Sequence, residues 1–247
     1  CEEPFIRQIY GSREYLHGLD RYCIWVSEAD AEEAMSIPPI ADRIERTRKF
    51  RLDSNDAGTQ KKAERPWSFR EQRQARVASI IVPKTSSEQR EYLPMGYLDA
   101  SQVISDLAFA VVDPPTWVFA LLNSRMHNVW IQSVAGRKDN RIRYANTIVY
   151  NNFPVPPLPE ASKGKLTEAA LRILDVREYH CEQTLAELYD PDLMPEDLRL
   201  AHASVDALVD SIYSKRGFET DEQRLSGLFT MYEEMTASES AKGSRKK

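Results

Sequence analysis

Asp139, Arg141 and Arg143 alternate along the chain with Lys138, Asn140 and Ile142. If this piece is extended, the two-residue period of a strand puts one carboxylate and two guanidiniums on a single face. A guanidinium can donate to both O6 and N7 of guanine in the major groove, and a carboxylate can accept from N4 of cytosine. The triplet therefore has the groups needed to read base edges. The same residues equally suit a surface turn closed by salt bridges, and the spacing by itself does not choose.

Two further groups carry charge that could meet phosphate. Lys61, Lys62, Arg65, Arg70, Arg73 and Arg76 are interleaved with Trp67 and Phe69. They could neutralise a nucleic-acid backbone or simply form a solvated face. Ser12 and Arg13 follow Gly11, where a tight backbone turn could hold a phosphate or be only a turn.

Other chemistry is missing. None of the nine glycines are two residues apart, so there is no glycine-rich loop against which a methyl donor or nucleotide could lie. Asp113-Pro114-Pro115-Thr116 approaches the Pro-Pro-aromatic tetrapeptide that holds a flipped adenine, but Thr116 cannot stack on a base. No lysine has an acid two positions before it, as a common type of metal-dependent nuclease requires. His17, His127, His180 and His202 are scattered, with no metal-ligand spacing to the cysteines. His127 and His202 are expected to be satisfied within helices. Neither a catalytic group nor a metal site is predicted.

The elements that would position these residues follow from composition and period. A chain of 247 residues that is 42% hydrophobic can bury one large core or two modest ones. Its apolar runs are far shorter than the roughly 20 residues of a membrane helix. Cys1, Cys23 and Cys181 form no close pair, which suits a reducing cytoplasm. The net charge of -5 conceals an uneven distribution. Residues 43–90 hold thirteen Lys and Arg against six Asp and Glu, whereas residues 161–247 hold twelve against seventeen. The basic surface belongs to the first part and the acidic surface to the last.

Runs of β-branched and aromatic residues predict strands at Tyr22–Val26, Val77–Val82, Leu107–Val112 and Thr147–Tyr150. A helix is predicted after Pro114-Pro115, capped by Asp113 and continuing through Trp130. Four prolines between Pro154 and Pro159 mark a linker extending to about Lys165. Beyond it, three helix faces are expected: Leu171, Leu174, Cys181, Leu185 and Leu188; Leu198, Val205, Leu208, Val209 and Ile212; and Leu225, Leu228, Phe229 and Tyr232. Thr220 and Gln223 have capping-box spacing, and Thr236–Lys247 reads as a disordered tail that ends basic. Residues 43–76 fit either a solvated helix or a long loop.

Five ordered phrases resemble the target-recognition region of the MmeI-like, type IIL restriction-modification family. They are Gly11-Ser12-Arg13-Glu14-Tyr15-Leu16-His17-Gly18, Arg21-Tyr22-Cys23-Ile24-Trp25, Ser86-Ser87-Glu88-Gln89-Arg90, Met126-His127-Asn128-Val129-Trp130, and Gly136-Arg137 through Arg143-Tyr144 to Tyr150-Asn151-Asn152-Phe153-Pro154. Ala145 departs from the serine that commonly follows Arg-Tyr in the family, without consequence for the fold.

The resemblance implies an α+β fold: a mixed-sheet target-recognition domain over residues 1–157, followed by a small all-α bundle over 158–247 with a disordered basic tail. It implies that this chain reads duplex DNA for an adenine-N6 methyltransferase. The methyl-donor domain, with its S-adenosylmethionine, and any nuclease would lie upstream, so the present chain would hold no cofactor. A chain that begins at Cys1 rather than methionine is expected to be an excised fragment. In the family, positions equivalent to Asp139 and Arg141 vary with the base recognised, as do those matching Lys84 and Asp106. The alternative is an interaction module whose helices dock other domains or subunits.

Overall fold

A computed structural model describes residues 4–72, 74–139 and 141–244. Among the described residues, nine strands form three three-stranded sheets, and ten α-helices surround and follow them. In the first sheet, β1 (Ile6–Tyr10) lies between antiparallel β2 (Tyr22–Ile24) and parallel β6 (Val103–Ile104). In the second, β3 (Ala78–Pro83) lies between β5 (Gly96–Asp99) and β7 (Ala108–Val112), both antiparallel to it. In the third, β9 (Arg141–Arg143) lies between β4 (Thr85–Ser87) and β8 (Gly136–Lys138).

Lys84 is the single residue between β3 and β4, so it marks the corner where one run of chain leaves the second sheet for the third. The turn between β6 and β7 similarly carries the chain from the first sheet to the second.

The helices of the first part are α1 (Ser12–His17), α2 (Ala31–Ser36), α3 (Pro38–Leu52), α4 (Ala57–Lys61), α5 (Thr116–Leu122) and α6 (Arg125–Val134). The segment 43–76 is helical through α3, α4 and a 3-10 turn at Lys62–Glu64. Arg73 lies outside the described residues.

Three local expectations are corrected. Thr147–Tyr150 is not a strand but part of a π-helical turn, Asn146–Tyr150. Asn151 N donates to Asn146 O at 2.9 Å, and Val149 O is taken by the Trp130 indole N–H at 3.0 Å. The Asn152 amide donates to the carbonyls of Thr147 and Ile148, so no carbonyl row is offered to a neighbour. Asp113 does not cap a helix. It sits at φ 46°, and its carboxylate accepts the backbone amides of Arg76 and Val77 at the entrance to β3. The single helix expected after it is two, α5 and α6. The break falls at Asn123-Ser124, where Ser124 Oγ accepts from His127 N and caps α6.

The last part consists of α7 (Glu160–Tyr179), the short α8 (Leu185–Leu188), α9 (Glu196–Tyr213) and α10 (Asp221–Ser244). The linker ends at Pro159 rather than near Lys165, because Pro159 takes the extended N-cap position from which α7 starts. The buried face of α7 is Leu166, Ala170, Ile173 and Val176. Leu171 and Cys181 are exposed, since α7 stops at Tyr179 and the expected period does not continue through it. Thr220 Oγ1 accepts from Gln223 N, but the Gln223 side chain accepts from Glu219 N, so the capping box closes one residue early. The expected tail is helical as far as Ser244; residues 245–247 lie outside the described residues.

One hydrophobic core runs through both parts. Ile80, Phe119, Trp130 and Ile142 belong to the same cluster as Ile173, Leu198, Val209 and Leu228. Helix α7 packs on α5 and α9, and α10 packs on α6. Arg177 of α7 is buried at this seam, donating to Met95 O, to the Tyr189 hydroxyl and to Asn123 Oδ1. A smaller cluster of Phe5, Val26, Ala31, Ala34, Ile40 and Ile44 holds α2 and α3 against the start of the chain.

Candidate nucleic-acid interface

The third sheet presents the triplet found in the sequence. Ile142 is buried in the main core while Arg141 and Arg143 on either side of it are exposed, so the two arginines share the outer face of β9. Asp139 is not on that strand. It lies in the β8–β9 turn at φ 55°, a left-handed conformation that aspartate tolerates better than bulky residues. Asn140 lies outside the described residues. The turn still brings the acid to its partner, with Arg141 Nη2 at 3.3 Å from Asp139 Oδ2. With side chains 56% and 74% exposed, this pair contributes little stability and leaves both groups open to a ligand. The Arg143 guanidinium has no ion-pair or hydrogen-bond partner among the described residues.

The hairpin is braced from behind. Arg137 stands opposite Ile142, and its guanidinium binds Glu88 at 2.7 Å and reaches the Gln132 carbonyl on α6. Tyr144, next along the chain, is buried, and its hydroxyl meets His127 Nε2 at 3.3 Å. Burial pushes the His127 imidazole down to about 4, only partly offset by its hydrogen bond to the Leu122 carbonyl. His202, bonded to the Tyr189 hydroxyl and the Asn123 carbonyl, is pushed down to about 3 by burial and the nearby Arg177. Both rings are neutral packing groups.

Lys84 and Asp106 are also brought together. The Lys84 ammonium donates to the backbone carbonyl of Asp106 and lies 4.7 Å from the centroid of the Phe109 ring. Asp106 is exposed and Lys84 half-buried. Ser12, expected as a phosphate ligand, is 8% exposed. Its hydroxyl donates to Leu107 O at 2.6 Å and accepts from Lys84 N at 3.0 Å. It is spent inside the fold, tying the start of α1 to the corner that carries Lys84. Gly11 is required beside it, because a Cβ there would stand 2.8 Å from Leu107 Cβ. Arg13 is exposed and has no partner among the described residues.

The basic segment forms a separate surface. Lys61, Lys62, Arg65, Arg70 and Arg76 are exposed, with Arg65 paired to Glu28. Arg51 of α3 gathers the segment by donating to the carbonyls of Lys62, Arg65 and Ser68 at 2.7–2.9 Å. Alongside is a cleft of about 620 Å³ whose lining includes Tyr22, Phe50, Trp67, Phe69, Arg43 and Arg46. The sequence reading did not single out Arg43, Arg46 or Phe50, because the cleft joins segments with no shared period.

The only described glycines with positive φ, Gly18 and Gly217, lie at the end of α1 and in the Ser214–Gly217 turn. Asp113-Pro114-Pro115 is committed to the β3 entrance and the start of α5. Among the described residues no group of His, Cys, Asp and Glu could hold a metal ion, and no helix is long and apolar enough to cross a membrane.

The family model for the MmeI target recognition domain matches residues 1–157, and that for the MmeI C-terminal domain matches residues 158–239. DNA methyltransferase A of Bacillus subtilis (strain 168) is 42% identical over 235 residues, which are 94% of this chain and 26% of that protein. A solved structure of the type IIL restriction-modification enzyme MmeI in complex with DNA superimposes with a TM-score of 0.90 at 35% identity, covering 95% of this chain and 31% of that one.

Proposed function

The chain belongs to the MmeI family, of which it carries the target recognition and C-terminal domains, and on that premise we propose that it reads a specific sequence of duplex DNA for an adenine-N6 methyltransferase linked to it upstream. Base flipping and methyl transfer from S-adenosylmethionine belong to the linked domain in this reading. No step of the transfer is assigned to residues of this chain.

The observation that carries the proposal is the face of β9. Two exposed guanidiniums, one held by an acid in the adjoining turn, project from a strand whose reverse is anchored in the core by Ile142. Preorganised donors beside an acceptor suit a C·G pair, with Asp139 on cytosine N4 and Arg141 on guanine. Lys84 and Asp106 are proposed to read a second position. Lys61, Lys62, Arg65 and Arg13 would hold phosphates, which fix register without specifying sequence.

Titrating this chain with duplex DNA across a range of salt concentrations tests the proposal. Affinity should fall steeply as salt rises, about 0.9 in logarithmic slope for each phosphate neutralised. A specific favourable feature also supports a docking role for the helical part, where Tyr179, Leu193 and Leu200 are exposed. If docking were the whole function, no DNA binding would be measured at any salt concentration.

A further inference from the structure

The register of the third sheet places two hydroxyl residues beside the arginines. Thr85 is directly opposite Arg143, and Ser87 is directly opposite Arg141. Directly opposite residues of an antiparallel pair project from the same face, with Cβ atoms ~4.5–5.5 Å apart. The reverse face at this level carries Ile142 and Ser86, both buried. Thr85 and Ser87 are therefore on the outer face, where both are half-buried.

Their hydrogen-bonding capacity is open. The Thr85 hydroxyl has no partner among the described residues. Ser87 Oγ accepts from Gln89 N at 3.3 Å, which leaves its own proton free to donate. A guanidinium is a donor only. At Arg141 the missing acceptor is supplied by Asp139, but no carboxylate accompanies Arg143 among the described residues. Across the strand from Arg143, the Thr85 oxygen can fill that role.

We infer that Thr85 and Ser87 are base-reading residues, each acting with the arginine across the strand from it, so that Arg143 with Thr85 and Arg141 with Ser87 form two reading units. This rests on the reading of β9 proposed above. Alternate residues of a strand are ~6.8 Å apart, about two steps of ~3.4 Å along a DNA strand. With the strand lying along the groove, the two units address base pairs two steps apart. Ser87 donates to a purine N7, guanine O6 or thymine O4. Thr85 accepts from cytosine N4 or adenine N6, or sets its methyl against that of thymine.

The test uses Thr85→Val and Ser87→Ala separately in the full-length methyltransferase, with the methylated sites sequenced and thermal unfolding measured as a control for folding. Each variant should relax the motif at one position by about three- to tenfold, the scale of one neutral hydrogen bond. The two positions should differ by two base pairs, and the rest of the motif should stand. The exchange Asp139→Lys with Arg141→Asp is run in parallel. If the exchange alters the motif while Thr85→Val and Ser87→Ala leave it intact, this inference fails and the reading by β9 survives. If none of the three alters it, both fail. Methylation reduced alike at all sites, with the motif unchanged, would make the hydroxyls supports rather than readers and overturn the inference.

Discussion

The hydroxyl of Ser12 accepts the backbone N–H of Lys84 at 3.0 Å across 72 positions of sequence. It gives its own proton to Leu107 O at 2.6 Å, the residue after Asp106. One buried oxygen thus sets the distance between the two segments that carry Lys84 and Asp106. Ser12→Ala should lower stability by ~1 kcal/mol, because it leaves the part-buried Lys84 amide and Leu107 carbonyl without that partner. The affinity for DNA should not change. Thermal unfolding and a titration with specific and unrelated duplexes at fixed salt together check this, and an affinity for both duplexes lowered alike in a stably folded variant would return Ser12 to the backbone-binding set.

Exchanging the charges of the reading pair should invert one position of the motif. Asp139→Lys with Arg141→Asp puts the cation in the turn and the carboxylate on the strand, so C·G should become G·C there while the rest of the site stays. Discrimination of ~1–3 kcal/mol per base contact makes this visible as a new motif in methylome sequencing. An active enzyme with the old motif would reduce the pair to a surface salt bridge.

The basic segment should act uniformly on all sequences. Replacing Lys61, Lys62 and Arg65 by alanine should weaken binding to every duplex alike. The Arg65–Glu28 pair is exposed and leaves the guanidinium open to phosphate, so the logarithmic salt slope should fall by about 2.7, for three phosphates. Parallel titrations with specific and unrelated duplexes measure both quantities, and a changed sequence preference would mean that this segment enters a groove.

Acid should unfold the chain partly through its buried imidazoles. His127 is pushed down to about 4, chiefly by burial, and His202 to about 3, by burial and Arg177. Groups whose folded values are depressed stabilise the fold above their unfolded value near 6.5, and that stability drains away as pH falls toward the folded values. The loss should be on the order of 2 kcal/mol per imidazole by pH 5. Asp206 acts in the opposite direction. Burial pushes its carboxyl up to about 6, against the hydrogen bonds from Tyr92 and the Arg125 amide, so its contribution is present at low pH and lost as pH rises through 6. Melting temperatures from pH 4 to 8 should therefore decline below pH 6.5, more gently in His202→Gln and more steeply in Asp206→Asn.

Much of this was legible in the residues, for identifiable reasons. Tyr22–Ile24, Ala78–Pro83 and Ala108–Val112 are strands, and β-branched and aromatic content marked all three. Thr147–Tyr150 has the same composition and became a π-helical turn, because its pairing depends on Asn146 and Asn152 rather than on its own propensity. The strand period places Arg141 and Arg143 on one face, whereas a turn at positive φ, which the period does not encode, brings Asp139 to Arg141. Lys84 and Asp106 came from family resemblance alone, as no local pattern joins residues on two sides of a sheet corner. Thr85 and Ser87 required the register of β4 against β9, which is set by tertiary packing around Ile142.

The buried guanidinium of Arg177 has a bearing on how such genes exchange parts. It leaves the helical region to bind Met95 O and Asn123 Oδ1 in the recognition region, within a core to which both regions contribute. A crossover placed at the proline-rich segment would separate this cation from its acceptors and divide the apolar cluster, leaving each half with an exposed interior. A graft at that segment would therefore keep its packing only if the recognition sheets and the helices moved as a block.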